Sequence, residues 1–341
     1  MPISLLKFPT DLLRDVLKQC NPFELYCLSK CSKRVCNSVK LGGEMNWKIT
    51  YCSREDIMIC GDGLTYVFKP TENPEDYFKT IQRTNKYMNM KIPMESVVDM
   101  FFYLLDTFAI RIVEWLVIHF SDFEYFSKVA TVLMKRNMEI ERLLIRYMRD
   151  VEDIANFMPL ICQMRITKEF KCVLKFPPDF HYQLVKYPSY IHITYAFGFN
   201  ISQLLGCTCA QIELRNSMLS NQDLNVFFQK WKKSGAFPNL QWLEIESKNI
   251  DNRSTILDMV PPITNRENPR KQISVVFGEE IEDEVMIYDA VRICKEDGKK
   301  AWLKVVLGDV PKLRFLMCKP GNTWVEEIDL SDYEEESEDE V

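Results

Sequence analysis

A short strand pattern recurs along the second half of the chain and limits the folds that the chain can adopt. Each copy has two apolar residues at positions i and i+2 between polar or aromatic ones, the alternation of a strand with one buried face. Helical patterns separate most of the copies, so the sequence predicts strands and helices in alternation. The five copies span residues 142–146, 163–167, 190–194, 211–215 and 241–246.

The spacing of these strands resembles that of a solenoid. The copies align on Leu143, Met164, Ile191, Ile212 and Leu243, at separations of 21, 27, 21 and 31 residues. Three of these values fall within the roughly 20–29 residue period of a leucine-rich repeat, and the fourth lies just above it. The separations are irregular, however, and no Asn or Cys stands at a fixed offset after each strand. We predict an irregular leucine-rich-repeat-like β/α domain and keep an ordinary α/β domain with a mostly parallel sheet as the alternative.

The connecting segments contain helix and turn signals. Val151, Ile154 and Met158 fall on one helix face between the first two strands. Ser220 with Asp223 three positions later forms a capping-box pattern before a longer apolar stripe. Further on, residues 288–294 and 300–307 flank an Asp-Gly turn, which predicts a hairpin, and residues 313–317 predict one more strand.

Residues 5–40 have the pattern of a compact helical unit. Thr10 is in a position to cap a first helix, and Asn-Pro at 21–22 ends it. Two further short helices are predicted over residues 23–30 and 32–39. A unit below about 50 residues buries little surface by itself, so we expect it to need a partner. The apolar positions on one face of the first helix are Leu12, Leu13, Val16 and Leu17.

The segment that follows has a mixed pattern. Residues 47–91 predict strands and turns, and helices are predicted over 94–105 and 122–135, the latter capped by Ser121. The most apolar window, residues 101–120, contains Asp106, Arg111 and Glu114, which a membrane span would exclude. We therefore interpret this window as a buried helix and expect no contact with a membrane.

The acidic charge of the chain is concentrated at one end. The 43 basic and 49 acidic residues give a formal charge of −6, yet ten of the acids lie in residues 326–341. Residues 1–48 carry a basic surplus, and residues 49–325 hold 35 charges of each sign. Such a balance excludes the basic footprint of a nucleic-acid-binding domain. The acidic tail is predicted to be disordered and solubilising.

Signatures of catalysis and of cofactor binding are missing from the sequence. There is neither a Gly-rich phosphate loop nor a G-x-S-x-G nucleophile motif. The three histidines and twelve cysteines do not have the spacing of metal ligands. We predict no catalytic residue, no metal and no cofactor. The first residues do not form a secretory signal, so we expect an intracellular protein, cytoplasmic or nuclear, with reduced thiols.

Three blocks of the N-terminal unit resemble the F-box of the large nematode families. They are LKFPTDLLRDVL at 6–17, NPFEL at 21–25 and LSKCSKR at 28–34. The family binds the Skp adaptor of cullin-based SCF ubiquitin ligases. Several of the side chains concerned could equally pack the core of the module, and Phe8 replaces the Leu of the commonest pattern. The adaptor contacts that the resemblance implies are Phe8, Pro9, Leu13, Val16, Leu17, Pro22 and Leu25.

A second resemblance lies in the other half of the chain. Residues 219–231, LSNQDLNVFFQKW, and 237–245, FPNLQWLEI, resemble the F-box-associated region that accompanies the nematode F-box. We therefore expect a chain of the α+β or α/β class. Its predicted segments are a small all-helical F-box over 1–48, a connecting region of strands and helix over 49–120, a larger leucine-rich-repeat-like F-box-associated domain over 121–325 and the acidic tail over 326–341.

The resemblance implies a non-catalytic substrate receptor of an SCF-type ubiquitin ligase. Such a protein docks to the Skp adaptor, reaches the cullin through it, and holds a target protein for ubiquitination. One alternative is a scaffold or inhibitor that uses the F-box without forming a ligase. Another is a degenerate enzyme of the α/β class.

The outward residues of the predicted strands form a candidate target surface. An exposed Trp and Tyr among charges would suit a binding hot spot. The alternative for Trp242 is that the C-terminal strands cover it. The predicted target-binding residues are Arg165, Tyr190, His192, Glu213, Arg215, Trp242, Glu244 and Glu246.

Overall fold

The computed structural model divides the chain into two compact units. The N-terminal unit comprises Met1–Asp150, Phe157–Lys171 and Leu184–Lys186, and the C-terminal unit comprises Val151–Asn156, Cys172–Gln183 and Tyr187–Val341. The residues that the structure describes are 7–42, 46–53, 57–61, 63–82, 84, 86–93, 96–119, 123–146, 154–176, 183–265, 270–276, 284–319, 321 and 323–328.

Eight α-helices lie within the described residues, and three of them form the N-terminal helical unit. They are α1 Thr10–Lys18, α2 Pro22–Cys31, α3 Lys33–Val39, α4 Val97–Phe108, α5 Phe123–Lys135, α6 Met158–Ile161, α7 Ile201–Gly206 and α8 Asn221–Lys232. Short 3-10 helices cover Lys40–Gly42, Pro74–Asp76 and Ile154–Asn156. None of these described helices has both the length and the apolar character needed to cross a membrane.

The same ranges of the chain contain seventeen β-strands, which occur in both units. They are β1 Lys48–Cys52, β2 Ile57–Gly61, β3 Leu64–Thr71, β4 Thr80–Gln82, β5 Tyr87–Pro93, β6 Ile112–His119, β7 Glu139–Arg146, β8 Arg165–Lys175, β9 Tyr190–Tyr195, β10 Gln211–Ser217, β11 Trp242–Ser247, β12 Arg270–Val276, β13 Glu284–Tyr288, β14 Val291–Cys294, β15 Lys300–Val306, β16 Lys312–Met317 and β17 Thr323–Ile328.

The N-terminal unit is built on a mixed sheet with the strand order β8-β7-β6-β1-β2-β3-β5-β4, to which β8 contributes its first residues. The central strand β1 pairs in parallel with β6 and antiparallel with β2. β6 pairs in parallel with β7, with Leu116 opposite Leu143. Both of these leucines are fully buried, so the parallel centre of the sheet lies in the core of the unit.

The prediction of one buried helix over residues 101–120 is wrong. Helix α4 ends at Phe108, where Ala109 takes the left-handed conformation with φ 52°, and strand β6 begins at Ile112. β6 is rich in β-branched residues and lies between two parallel neighbours, β1 and β7. The window is rich in apolar residues because each of the two elements buries one face, and not because it is one element.

The three N-terminal helices form as predicted, with one change at a cap. Asn21 caps α2 in a capping box with Glu24, and Ser32 caps α3. The residue before α1 is Pro9, and no side chain caps this helix, so the predicted cap by Thr10 is wrong. Thr10 is already the first helical residue, and its hydroxyl is therefore not in the capping position.

The N-terminal helices pack against their own unit. The ring of Phe23 on α2 lies 5.2 Å from that of Tyr66 and 5.1 Å from that of Phe68, both on β3. The ring of Tyr26 lies 5.4 Å from Phe68 and 6.1 Å from Tyr103 on α4. Phe23 and Tyr26 are buried by these contacts. The partner that such a small helical unit was expected to need is thus supplied, for α2, by the chain itself.

The main sheet of the C-terminal unit has the order β14-β15-β16-β11-β10-β9. β9, β10 and β11 are parallel neighbours, and Ile191, Ile212 and Leu243 lie opposite one another, which confirms that part of the predicted alignment. The predicted hairpin is formed by β14 and β15, and the predicted strand near 313–317 is β16. The capping box of Ser220 and Asp223 opens α8 as predicted.

The predicted alignment fails for the two earlier strands. It sets Leu143 beside Met164, whereas Met164 precedes β8, and ion pairs in the N-terminal unit join Glu139 to Arg165 and Glu141 to Lys168. β8 is therefore shifted by several residues from the predicted register. Where the sequence predicted a helix between these strands, the structure has a 3-10 turn and the single-turn helix α6. Residues 147–153 lie outside the described residues, as does Ser121, the predicted cap of α5.

A second sheet of three strands, in the order β13-β12-β17, belongs to the C-terminal unit, and we call it the cap sheet. Ile273, Val275 and Ile287 of the cap sheet pack against Trp242 of β11 and Trp302 of β15 in one buried cluster. β17 pairs with β12 through Ile328, so residues 326–328, predicted to begin a disordered tail, are a strand. Residues 329–341 lie outside the described residues.

Candidate protein-binding surfaces

The predicted adaptor contacts divide into buried and accessible side chains. Phe8 and Val16 are half-buried and Pro9 is exposed, next to Leu12, which is 47% exposed and one helical turn from Val16. These four residues form an apolar strip on and before α1, which we call the α1 strip. The remaining predicted contacts are buried in the core of the N-terminal unit, namely Leu13, Leu17, Pro22 and Leu25.

In the C-terminal unit, polar side chains occupy the face of the main sheet opposite to α8. Parallel pairing brings His192, Glu213 and Glu244 into one row across β9, β10 and β11. Antiparallel pairing extends the row to Arg314 on β16 and Lys304 on β15. We call this surface the polar strand face.

His192 is the centre of a hydrogen-bonded group at one end of the polar strand face. Its Nδ1 lies 3.0 Å from Glu213 Oε2 and 3.3 Å from the Tyr190 hydroxyl, and its Nε2 lies 3.4 Å from Thr194 Oγ1. Burial alone would raise the pKa of Glu213, but the hydrogen bond and charge of His192, with Tyr190 and Arg215, outweigh it and lower that pKa. The Glu213 carboxylate is therefore held in its charged form by its neighbours.

Charges at the other end of the polar strand face neutralise one another. Arg314 Nε donates to Glu244 Oε2 at 2.8 Å, and Lys312 Nζ lies 3.4 Å from Glu244 and 2.7 Å from Glu246. Only 11% of the Glu244 side chain is exposed. This cluster ties β11 to β16 and leaves its carboxylates little capacity for a ligand.

The structure corrects the predicted target surface in three places. Trp242 is only 3% exposed because the cap sheet covers it, so the alternative interpretation of this residue is correct. Glu244 is also buried. Arg165 belongs to the N-terminal unit, where it pairs with Glu139 at 3.6 Å. The remaining predicted residues are accessible: Arg215 is exposed, and Tyr190, His192, Glu213 and Glu246 are half-buried.

The sequence prediction missed Arg314 and Lys312, the cations that occupy Glu244 and Glu246. Strand β16 itself was predicted, and its alternation places both cations on one face. Its antiparallel pairing with β11 was not predictable from that alternation, because a strand pattern does not identify the neighbouring strand. Within the described residues, no group of three His, Cys, Asp or Glu side chains is arranged to hold a metal ion.

Two family models match the chain. The F-box domain matches residues 5–41, and the F-box associated family matches residues 179–245. The first match covers α1, α2 and α3, and the second includes β9, β10, α8 and most of β11. Residues 5–41 therefore match the F-box domain and residues 179–245 match the F-box associated family, so both resemblances seen in the sequence are confirmed.

A curated relative comes from a nematode. The chain is 24% identical over 198 residues to the Skn-1 dependent zygotic transcript 15 protein of Caenorhabditis elegans. The match covers 55% of this chain and 56% of the relative, so the chain spans about half the length of the curated relative that it matches. No solved structure matches the chain. The nematode type of F-box protein, predicted from the sequence, agrees with this relative.

Proposed function

We propose that the chain is the substrate-recognition subunit of an SCF-type ubiquitin ligase. The F-box docks to the Skp adaptor, and through it to a cullin, while the remainder of the chain holds a target protein. Proximity then raises the effective concentration of target lysines near the ubiquitin-loaded enzyme. This role requires no covalent chemistry from the chain and is exercised inside the cell, in the cytoplasm or nucleus.

The accessible α1 strip, within the region that matches the F-box, is the observation that carries this proposal. Soluble proteins rarely leave clustered apolar side chains open without a binding partner. The strip retains Phe8, Pro9 and Val16 of the seven predicted contacts. The four buried contacts support the helices that present the strip, and we assign them a positioning role.

The target-holding part is proposed to be leucine-rich-repeat-like and to begin at residue 121, as predicted from the sequence, but to extend through β17 to Ile328. The consecutive parallel order of β9, β10 and β11, with helices α7 and α8 between them, supports a solenoid-like arrangement. The accessible residues of the polar strand face, above all Arg215, are the proposed contacts for a target there.

Affinity purification with quantitative mass spectrometry under proteasome inhibition tests this function. The full chain, expressed in nematode cells, should recover the Skp adaptor, a cullin and one or more proteins that accumulate when the proteasome is blocked. A scaffold that uses the F-box without forming a ligase would bring the adaptor alone. Failure to recover the adaptor at all would refute both roles.

A matched pair of substitutions tests the α1 strip. Val16→Glu places a charge on the strip and should reduce adaptor recovery by at least about tenfold, because the carboxylate loses its hydration on binding. Gln19→Glu adds the same charge at an exposed position just after α1 and should change recovery by less than about twofold. Circular dichroism of both variants checks that the helices persist. Equal recovery with the two variants would contradict the assignment of the strip.

A further inference from the structure

A cavity of about 420 Å³ lies on the face of the N-terminal sheet that α4 does not cover. Six strands contribute to it, from β1 to β3 and from β5 to β7. Its size is within the range of about 300–1,000 Å³ that is usual for ligand pockets. We call it the strand pocket.

Most side chains that line the floor of the strand pocket are apolar. Thr50, which also lines it, lies opposite Met58 on β2 and Trp115 on β6. Val117 lies opposite Leu144 one step further along the strands. A large apolar side chain could therefore contact an indole ring, a thioether and branched aliphatic groups together, which is the environment of a binding hot spot.

The two ends of the strand pocket differ in charge. At one end, Glu114 lies near Cys60, where burial first and the Glu114 carboxylate second raise the pKa of the thiol to about 11. At the other end is Arg146, which is exposed at the end of β7. Arg142, also on β7, is already occupied: its guanidinium lies 4.8 Å from the Trp115 ring centroid and 3.8 Å from Glu169.

Arg146 is thus the cation of this pocket that remains available to a ligand. In the part of the chain that the structure describes, its guanidinium forms no ion pair. Arg146 lies four residues beyond Arg142 on β7, and Arg142 is the neighbour of Trp115 on β6. Four residues span about 13 Å along a strand. An extended peptide of about four residues covers the same distance.

We propose that the strand pocket binds a short extended segment of the target protein, with a large apolar side chain against Trp115 and Met58 and a carboxylate at Arg146. The proposal rests on the substrate-receptor function and names the chemistry of the segment recognised. The hydroxyls of Thr50 and Thr65, which also line the pocket, can bond to the peptide backbone. The Cys60 thiol acts only as apolar surface, since a thiol with a raised pKa is a poor nucleophile.

A phage-displayed library of random octapeptides, selected on the full chain, tests this proposal. Selected peptides should share a large apolar residue within about four positions of Asp or Glu. One selected peptide is then labelled with a fluorophore and titrated by anisotropy. Arg146→Glu should weaken its binding by at least about tenfold, because a charge-assisted contact is replaced by repulsion.

The control is Arg253→Glu, which makes the same change at an exposed loop position in the other unit. It should alter binding by less than about twofold if the peptide occupies the strand pocket. Replacing the acidic residue of the peptide by Lys should restore binding to Arg146→Glu. Trp115→Ala should also weaken binding, but Arg146→Glu is decisive because an exposed residue contributes little to folding.

Four results would overturn the proposal: no enriched peptide, enriched peptides without an acid, equal loss with Arg253→Glu, or an oligouridine probe that binds more tightly than the peptides and depends on Arg146. Adaptor recovery by the same proteins separates this test from that of the general function. If the chain binds the selected peptide but recovers no adaptor, the strand-pocket proposal stands and the ligase proposal is refuted. If the chain recovers adaptor and cullin but selects no peptide, the ligase proposal stands and the strand-pocket proposal is refuted.

Discussion

The two units treat the tryptophans on their outer sheet faces in opposite ways. In the C-terminal unit, Trp242 and Trp302 are buried under the cap sheet. In the N-terminal unit, Trp115 has the equivalent position on a strand face but lines an accessible cavity. The same alternation of residues thus produced a structural core in one unit and a candidate binding site in the other. The covering strands, and not the strand that carries the tryptophan, decide which of the two results.

The units also share a feature. Each buries at least one carboxylate between two cations. Glu141 lies 2.8 Å from Lys48 and 3.0 Å from Lys168, while Glu244 is held by Arg314 and Lys312. Such clusters fix neighbouring strands in register, because removal of one partner leaves a charge without compensation.

The largest expected effect comes from exchanging the tryptophans for Ala. Trp242→Ala should lower the free energy of unfolding of the C-terminal unit by about 3–5 kcal/mol, since it leaves a cavity under the cap sheet. Trp115→Ala should cost the N-terminal unit only about 1 kcal/mol, because its ring is partly open to solvent. Native-state hydrogen exchange measures the local free energy in each unit. Equal losses would remove the distinction between a covered and an open tryptophan.

The next effect concerns the buried carboxylate of the C-terminal unit. Arg314→Met removes the hydrogen bond to Glu244 and should lower the local free energy of unfolding by about 1–3 kcal/mol. Arg314→Lys keeps the charge and should lose less. Hydrogen exchange of β11 and β16 reports the change. A loss of the same size with both variants would show that packing of the long side chain, and not its charge, matters.

The smallest expected effect is on the dependence of stability on pH. Burial raises the pKa of Glu141, but Lys48 and Lys168 outweigh it and hold that pKa below the ordinary value of 4.5; Glu213 is lowered in the same sense. A lowered pKa in the folded state stabilises above the ordinary value, and that contribution is lost as the pH falls through the folded pKa. The advantage of wild type over Glu141→Gln or Glu213→Gln should therefore shrink between about pH 6 and about pH 3.

Urea unfolding at the two pH values measures this difference. Glu124→Gln serves as the control, because Glu124 is an exposed partner of Lys128 on α5. Its difference from wild type should be small at both pH values. An advantage that is the same at both pH values for Glu141→Gln would contradict the role of the two lysines.

Local signals predicted much of this fold. The alternation of β9 to β11 gave both the strands and their register, and the capping residues Ser220 and Asp223 gave the start of α8. The Asp-Gly turn gave the hairpin of β14 and β15, where Gly298 has φ 82°. These features depend on neighbours in sequence or on one repeated pattern, which is why they could be recognised.

Features that depend on distant segments were missed or left undecided. The apolar window of residues 101–120 did not reveal whether a helix or a strand was buried. The sequence left open whether Trp242 is exposed or covered, because its burial depends on β12 and β13, which follow it at some distance in the chain. The strand pocket was not predicted because six strands each contribute one to three ordinary side chains to it. The hydropathy of a single segment does not show which distant segments it will contact in the fold.

The contact of α2 with β3 and α4 limits how F-boxes of this kind can be exchanged between proteins. Cutting the chain after residue 48 would expose the rings of Phe23 and Tyr26, which are now covered by Tyr66, Phe68 and Tyr103. A chimera that transplants the three helices alone would therefore aggregate. The smallest piece that can be moved intact includes the first sheet strands and α4, so the F-box helices and part of the sheet that forms the strand pocket are inherited together.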